Sequence, residues 1–179
     1  MLSASARGCL AVLAIASVGF SLPAVAAEPS AELKVAAAAG VSAALGEIGP
    51  AFERATGHKV LFSFGSSGLL AKQIVEGAPF DVFVAADTGF VDGLVKDKAV
   101  DGGTRAIYAR GALDLWWRKD SPVAAPTKLT DLLDPRFKKI AIANPELAPY
   151  GRAARESLVA LGIWAKIEPR VVYAENIKQ

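Results

Sequence analysis

The chain has 179 residues, a formal net charge of +2, one histidine and one cysteine. So small a positive balance leaves no strongly basic patch to suggest nucleic acid, and a lone cysteine excludes a disulfide framework within the chain. With 53% of residues apolar there is material for a core, since a domain of about 150 residues buries about 70% of its chain surface.

The first element is an address. Arg7 is the only charge before Glu28, Leu10 to Phe20 is an apolar run, and Ala24-Val25-Ala26 is the small-residue pattern at which a signal peptidase cuts. Residues 1–26 therefore read as a cleavable export leader, with the mature chain starting near Ala27 outside the cytoplasm. The run is short of the roughly 20 residues of a spanning helix. Cys9 stands at its beginning rather than its end, which speaks against a lipid anchor.

Leu33 to Ala39 follows as an apolar strand with almost no alternation, the mark of burial on both faces. Leu45, Ile48 and Phe52 give Val41 to Thr56 a helical spacing, with Pro50 expected to kink or split it near Gly49. Lys59 to Phe64 is the next strand, Ser67 to Glu76 the next helix, and Asp81 to Ala86 a third strand; Asp87 then caps a helix through about Asp97. Strand and helix alternating in this way predict a parallel sheet covered by helices.

The second half follows the same grammar less regularly. Arg105 to Arg118 reads as two extended pieces interrupted by Arg110-Gly111, the passage from one lobe to another. Trp116 and Trp117 are adjacent in it, so one faces in and one out. After a loop at Pro122 to Pro126 come a short helix at Leu129 to Leu133 and a strand at Lys139 to Ala143. Ala148-Pro149-Tyr150-Gly151 opens a helix to about Ala165, with Pro149 suited to its first turn. Val171 to Tyr173 is a strand, and Glu175-Asn176-Ile177 begins a helix just before Gln179. The division is a first α/β lobe at 27–109 and a second at 110–179, the second incomplete. A longer protein is expected, with binding by residues 27–179 alone weak or absent.

In open parallel sheets ligands bind beyond the carboxyl ends of the strands, where helix N-termini present unpaired N–H groups and a positive dipole end. The candidate turns are at Gly40 and Ser67 in the first lobe and at Tyr150 and Ile177 in the second. If the lobes face each other, four sets of neutral donors meet across a cleft. Such donors suit a fully deprotonated tetrahedral dianion, whose oxygens all accept and never donate. Phosphate, which keeps a proton near neutrality, would want an acceptor.

Ordered segments carry a resemblance from about Leu33 onward: Val35-Ala36-Ala37-Ala38-Ala39, Ser63-Phe64-Gly65-Ser66-Ser67, Gln73 to Asp81, Ala85-Ala86-Asp87, and Ala148-Pro149-Tyr150-Gly151. Together they make the chain similar to the molybdate-binding proteins of bacterial ABC importers. The resemblance implies a two-lobed periplasmic binding protein fold, type II-like, each lobe a parallel-rich sheet flanked by helices. It implies a periplasmic monomer that closes on molybdate or tungstate and hands the oxyanion to an inner-membrane permease. Molybdenum would be bound as the oxyanion, with no bare metal ion and no cofactor. Ser67 falls at a hydroxyl and amide donor of the family, Tyr150 at the second-lobe turn, and Ile177 at a backbone N–H donor. The pattern departs at Gly40, where the family carries serine; Ser42 stands two residues on. Loss of one charge-assisted hydrogen bond is worth about 1.5–3 kcal/mol.

Each residue also has a purely structural use. Ser66 and Ser67 can cap a helix, Gly40 can end a strand, and Tyr150 can be a surface aromatic. On this basis Ser67→Ala is expected to weaken anion binding by about 1–3 kcal/mol with little loss of stability beyond the cap. Catalysis finds no support. Gly65-Ser66-Ser67-Gly68 lacks the spacing of a nucleophile elbow, and His58 and Ser67 flank opposite ends of a strand, about 20 Å apart. The alternatives are a receptor for another small anion or an organic solute, with Arg152 as the near cation, and a ligand-sensing module of the same fold.

Overall fold

The unalternating strand β1 (Glu32–Ala38) lies at the centre of a parallel three-stranded sheet, between β2 (Lys59–Gly65) and β3 (Val82–Val84). The computed structural model describes residues 31–179, so the expected leader lies outside the described residues. Val35 to Ala39 are all buried, as a strand covered on both faces requires. The β1–β2 register pairs Ala38 with Gly65, which brings the two carboxyl ends level. Helices α1 (Ser42–Thr56), α2 (Ser67–Val75) and α3 (Thr88–Lys96) alternate with these strands. Right-handed crossovers to opposite sides of β1 place α1 and α2 on opposite faces of the sheet.

Of the kink or split expected near Gly49, the split does not occur: α1 runs unbroken through Pro50. Tertiary packing outweighs the one hydrogen bond that proline removes. Gly49 is buried so close to β2 that a Cβ there would stand 2.7 Å from the Phe62 ring.

A second parallel sheet pairs β4 (Ile140–Ala143) with β5 (Val171–Ala174). α4 (Pro149–Ala160) and the short α5 (Trp164–Ile167) lie between them in the chain. Their core gathers Leu132, Phe137, Ile142, Leu158, Trp164 and Ile167. The single helix expected to reach Ala165 is two. Gly162, at φ 68°, adopts the left-handed conformation, Ile163 N–H bonds Leu158 O and Gly162 N–H bonds Val159 O. This is a Schellman stop, with Leu158 and Ile163 together in the core.

Two further expectations are corrected. Residues 105–118 enter neither sheet among the described residues. Alternation prepares two faces but supplies no neighbouring strand, and Trp116 is 82% exposed. Trp117, in contrast, turns in, donating Nε1–H to Val123 O at 3.1 Å and meeting Phe137 edge-on. Residues after β5 form a turn and not a helix: Lys178 N–H bonds Asn176 Oδ1 at 3.0 Å. The Asn176 side chain takes a backbone N–H two residues on, a local bond that competes with helix formation.

Leu129–Leu133 is a 3-10 turn held by charge. The Asp131 carboxylate accepts from Thr127 N–H, Thr127 Oγ1 and Lys128 N–H, which holds it below the ordinary carboxylate value of 3.8. Arg136 does the same for Asp134. A carboxylate depressed in the fold stabilises fully above its unfolded pKa, and that contribution fades as pH falls through the lower folded value. Asp131→Asn should therefore lower the urea midpoint at pH 7, and the difference from wild type should shrink as pH falls below 3.8 through the lower folded value. A gap that persists in acid would show that the bonds do not depend on ionisation.

Candidate functional site: the meeting of two strand-end layers

At the end of β1 the chain makes one 3-10 turn, Ala39–Val41, before α1 begins, and Gly40 is its exposed centre. The turn after β2 divides its labour between two serines. Ser66 is the N-cap of α2, its Oγ accepting from Leu69 N–H at 3.4 Å. Ser67 is fully buried, and its Oγ accepts instead from Ala86 N–H at 3.0 Å. Because Ala86 follows β3 and β1 lies between β2 and β3, this bond runs over the carboxyl end of β1. Ser67 is thus not the cap, and its hydroxyl proton is not consumed by the bond to Ala86.

In the second sheet, Asn144 N–H bonds Ala174 O at 2.6 Å and ties the ends of β4 and β5 together. α4 starts without a side-chain cap, with Pro149 in its first turn. The N–H groups of Tyr150 and Gly151 are among those a helix leaves without internal partners. Ile177 sits in the turn after β5, 44% exposed.

Three of the four candidates meet. A Cβ on Gly40 would lie 3.3 Å from Tyr150 Cε2 and 3.4 Å from Ile177 Cγ2. Ser67 belongs to the same strand-end layer as Gly40 through the register of β1 with β2. The carboxyl ends of the two sheets therefore face each other, with the second-sheet side chains seated on the first-sheet turn.

Several contacts bridge the two halves that the linear reading did not anticipate. Gly68 N–H bonds Leu147 O at 2.9 Å. Lys178 Nζ donates to Ser42 Oγ at 2.6 Å, one residue beyond Ile177 and two beyond Gly40. Arg152 reaches Asp87 at 3.4 Å and lies over the Phe90 ring, 5.3 Å from its centroid. Asp87 also caps α3 through Gly89 N–H, as expected. Arg152 and Asp87 stand 65 residues apart, and no local signal announces such a pair. Tyr108 Oη donates to Ala85 O at 2.9 Å; burial, and then the neighbouring Tyr150, push its ionisation above the usual phenol value.

For hydrolytic chemistry the arrangement is wrong. His58, at the start of β2, accepts from Ala31 N–H through Nδ1, while Ser67 lies past the other end of that strand. Among the described residues no group of acidic, histidine or cysteine side chains is placed to hold a metal ion, and no helix is long and apolar enough to cross a membrane.

Residues 33–179 match the family model described as bacterial extracellular solute-binding protein. The chain belongs to that family. This solute-binding chain is 40% identical over 165 residues to the molybdate-binding protein ModA of Azotobacter vinelandii, covering 92% of itself and 64% of that protein. It is 33% identical to ModA of Escherichia coli K12, covering 97% of itself and 68% of the relative. The solved periplasmic molybdate-binding protein of Azotobacter vinelandii superposes with a TM-score of 0.75 at 38% identity, over 82% of this chain and 64% of that one. The solute-binding chain thus has the two-domain binding-protein fold, and spans a little under two thirds of the first of these relatives.

Proposed function

We propose that the protein is an extracytoplasmic receptor which captures a tetrahedral oxyanion, molybdate or tungstate, and delivers it to the permease of an ABC importer. One observation carries the reading: Tyr150 and Ile177, from the carboxyl ends of one parallel sheet, rest on Gly40 at the carboxyl end of the other. Related chains bear the name of molybdate-binding proteins.

In this reading the donors are Gly40 N–H, the Ser67 hydroxyl, and the N–H groups of Tyr150 and Ile177. All are uncharged, and they belong to both halves. The anion then stabilises the closed form because only that form engages both sets of donors. The permease recognises the closed shape. The lobes are residues 27–109 and 110–179, with Arg110-Gly111 in the passage between them. Export by residues 1–26 delivers a monomer to the periplasm, and the protein is a carrier and not an enzyme.

Arg152 supports this reading over an organic-acid receptor. Its guanidinium is engaged by Asp87 and Phe90, away from the role of carboxylate clamp. Asp87, the nearby acceptor that a protonated phosphate would use, is engaged by Arg152 and by the α3 N-terminus.

Titration calorimetry on the full gene product with molybdate, tungstate, sulfate and phosphate tests the proposal. Heat with the first two and at least tenfold weaker binding of the others is expected. Silence with both molybdate and tungstate would defeat it.

A further inference from the structure

The ring of Tyr150 lies between two backbones that carry no side chain. On one side is Gly40, where an added Cβ would meet Tyr150 Cε2 at 3.3 Å and Ile177 Cγ2 at 3.4 Å. On the other is Gly111, where an added Cβ would overlap Tyr150 Oη and stand 3.2 Å from Cζ. Gly40 centres the 3-10 turn after β1, and Gly111 belongs to the irregular segment between the sheets. A ring is rigid, so a side chain at either position must move it as a body, and with it the start of α4. Ile177 is held beside it by the adjacent bond from Lys178 to Ser42.

We propose that Gly40 and Gly111 form a side-chain-free seat for Tyr150, and that this seat sets how closely the two halves approach. Gly40 is then a spacing residue as well as an N–H donor. Its consequence for anion affinity rests on the oxyanion reading above, while the seat itself does not. A serine at position 40 adds a hydroxyl donor, yet its Cβ props the second-sheet turns outward. The seat predicts that this loses more than the hydroxyl gains.

A mutant cycle tests it in the full gene product with Cys9 replaced by serine: the parent, Gly40→Ser, Tyr150→Ala and the double variant. Labels on cysteines introduced at the exposed positions Glu47 in α1 and Glu156 in α4 report the separation of the halves with saturating molybdate and without it, and calorimetry reports molybdate affinity. Gly40→Ser should widen the separation and weaken molybdate binding by about tenfold or more. In the Tyr150→Ala background it should no longer widen the separation. Should Gly40→Ser fail to fold, Gly111→Ala replaces it, with Tyr150→Phe, which removes the overlapping oxygen, as the rescuing partner. An unchanged separation, or tighter binding on adding the serine, overturns the seat whatever the parent binds. Widening reversed by Tyr150→Ala in a protein that binds neither molybdate nor tungstate upholds the seat and overturns the oxyanion reading instead.

Discussion

Gly151→Ala should lower stability by about 3 kcal/mol or more, the upper end of the usual cost of overpacking, because every atom it strikes is backbone. A Cβ at this position would overlap Ala143 O and stand 2.6 Å from the Ala143 carbonyl carbon and 3.0 Å from that of Asn144. Gly151 is buried in the first turn of α4, where the helix crosses the end of β4. A flexible side chain could turn aside; a strand end bonded through Asn144 N–H to Ala174 O cannot do so cheaply. The helix must therefore retreat and carry Tyr150 away from Gly40. The expected readouts are a large fall in the urea midpoint and, under the oxyanion reading, loss of anion binding even where the protein remains folded. A midpoint within experimental error of wild type would show that α4 can be lifted from β4 freely.

Ser67→Ala is the second large effect, and the structure changes what it should do. The expectation from the sequence alone was weaker anion binding with little cost to the fold beyond a helix cap. The cap is Ser66, and Ser67 Oγ is instead the acceptor for Ala86 N–H at a fully buried position. Alanine strands that N–H, at a cost of about 1–3 kcal/mol. Under the oxyanion reading it also removes a hydroxyl donor to the anion, worth about 1.5–3 kcal/mol of affinity, or one to two decades. Ser66→Ala is the control and should cost about 1 kcal/mol of stability, with affinity unchanged. Thermal melting without anion and calorimetry with molybdate separate the two losses. If Ser67→Ala binds molybdate as wild type does, its hydroxyl serves the fold alone.

The first half of the chain was legible because each element declares itself locally. A short apolar run without alternation, closed by a glycine, reads as a strand covered on both faces, and β1 is the central strand. Asp87 and the Gly65-Ser66-Ser67-Gly68 turn mark helix starts by chemistry that acts within a few residues. The helix expected to reach Ala165 stops short because a glycine such as Gly162 either continues or stops a helical run; the choice lies with Leu158 and Ile163, which meet in the core once the chain turns. Residues 105–118 pair with no strand among the described residues, and local pattern cannot supply the neighbour that makes an extended piece a strand.

What the sequence determined by itself was the alternation of strand and helix, the parallel sheets that follow from it, and the strand-end turns bearing Gly40, Ser67, Tyr150 and Ile177. These depend on periodicity and capping, which are properties of neighbouring residues. Only the tertiary structure decided that Ser67 braces Ala86 and not its own helix, that Arg152 is held by Asp87, and that Tyr150 rests between two glycines. Those facts are distances between residues far apart in the chain, which depend on how whole elements pack and which no local preference encodes.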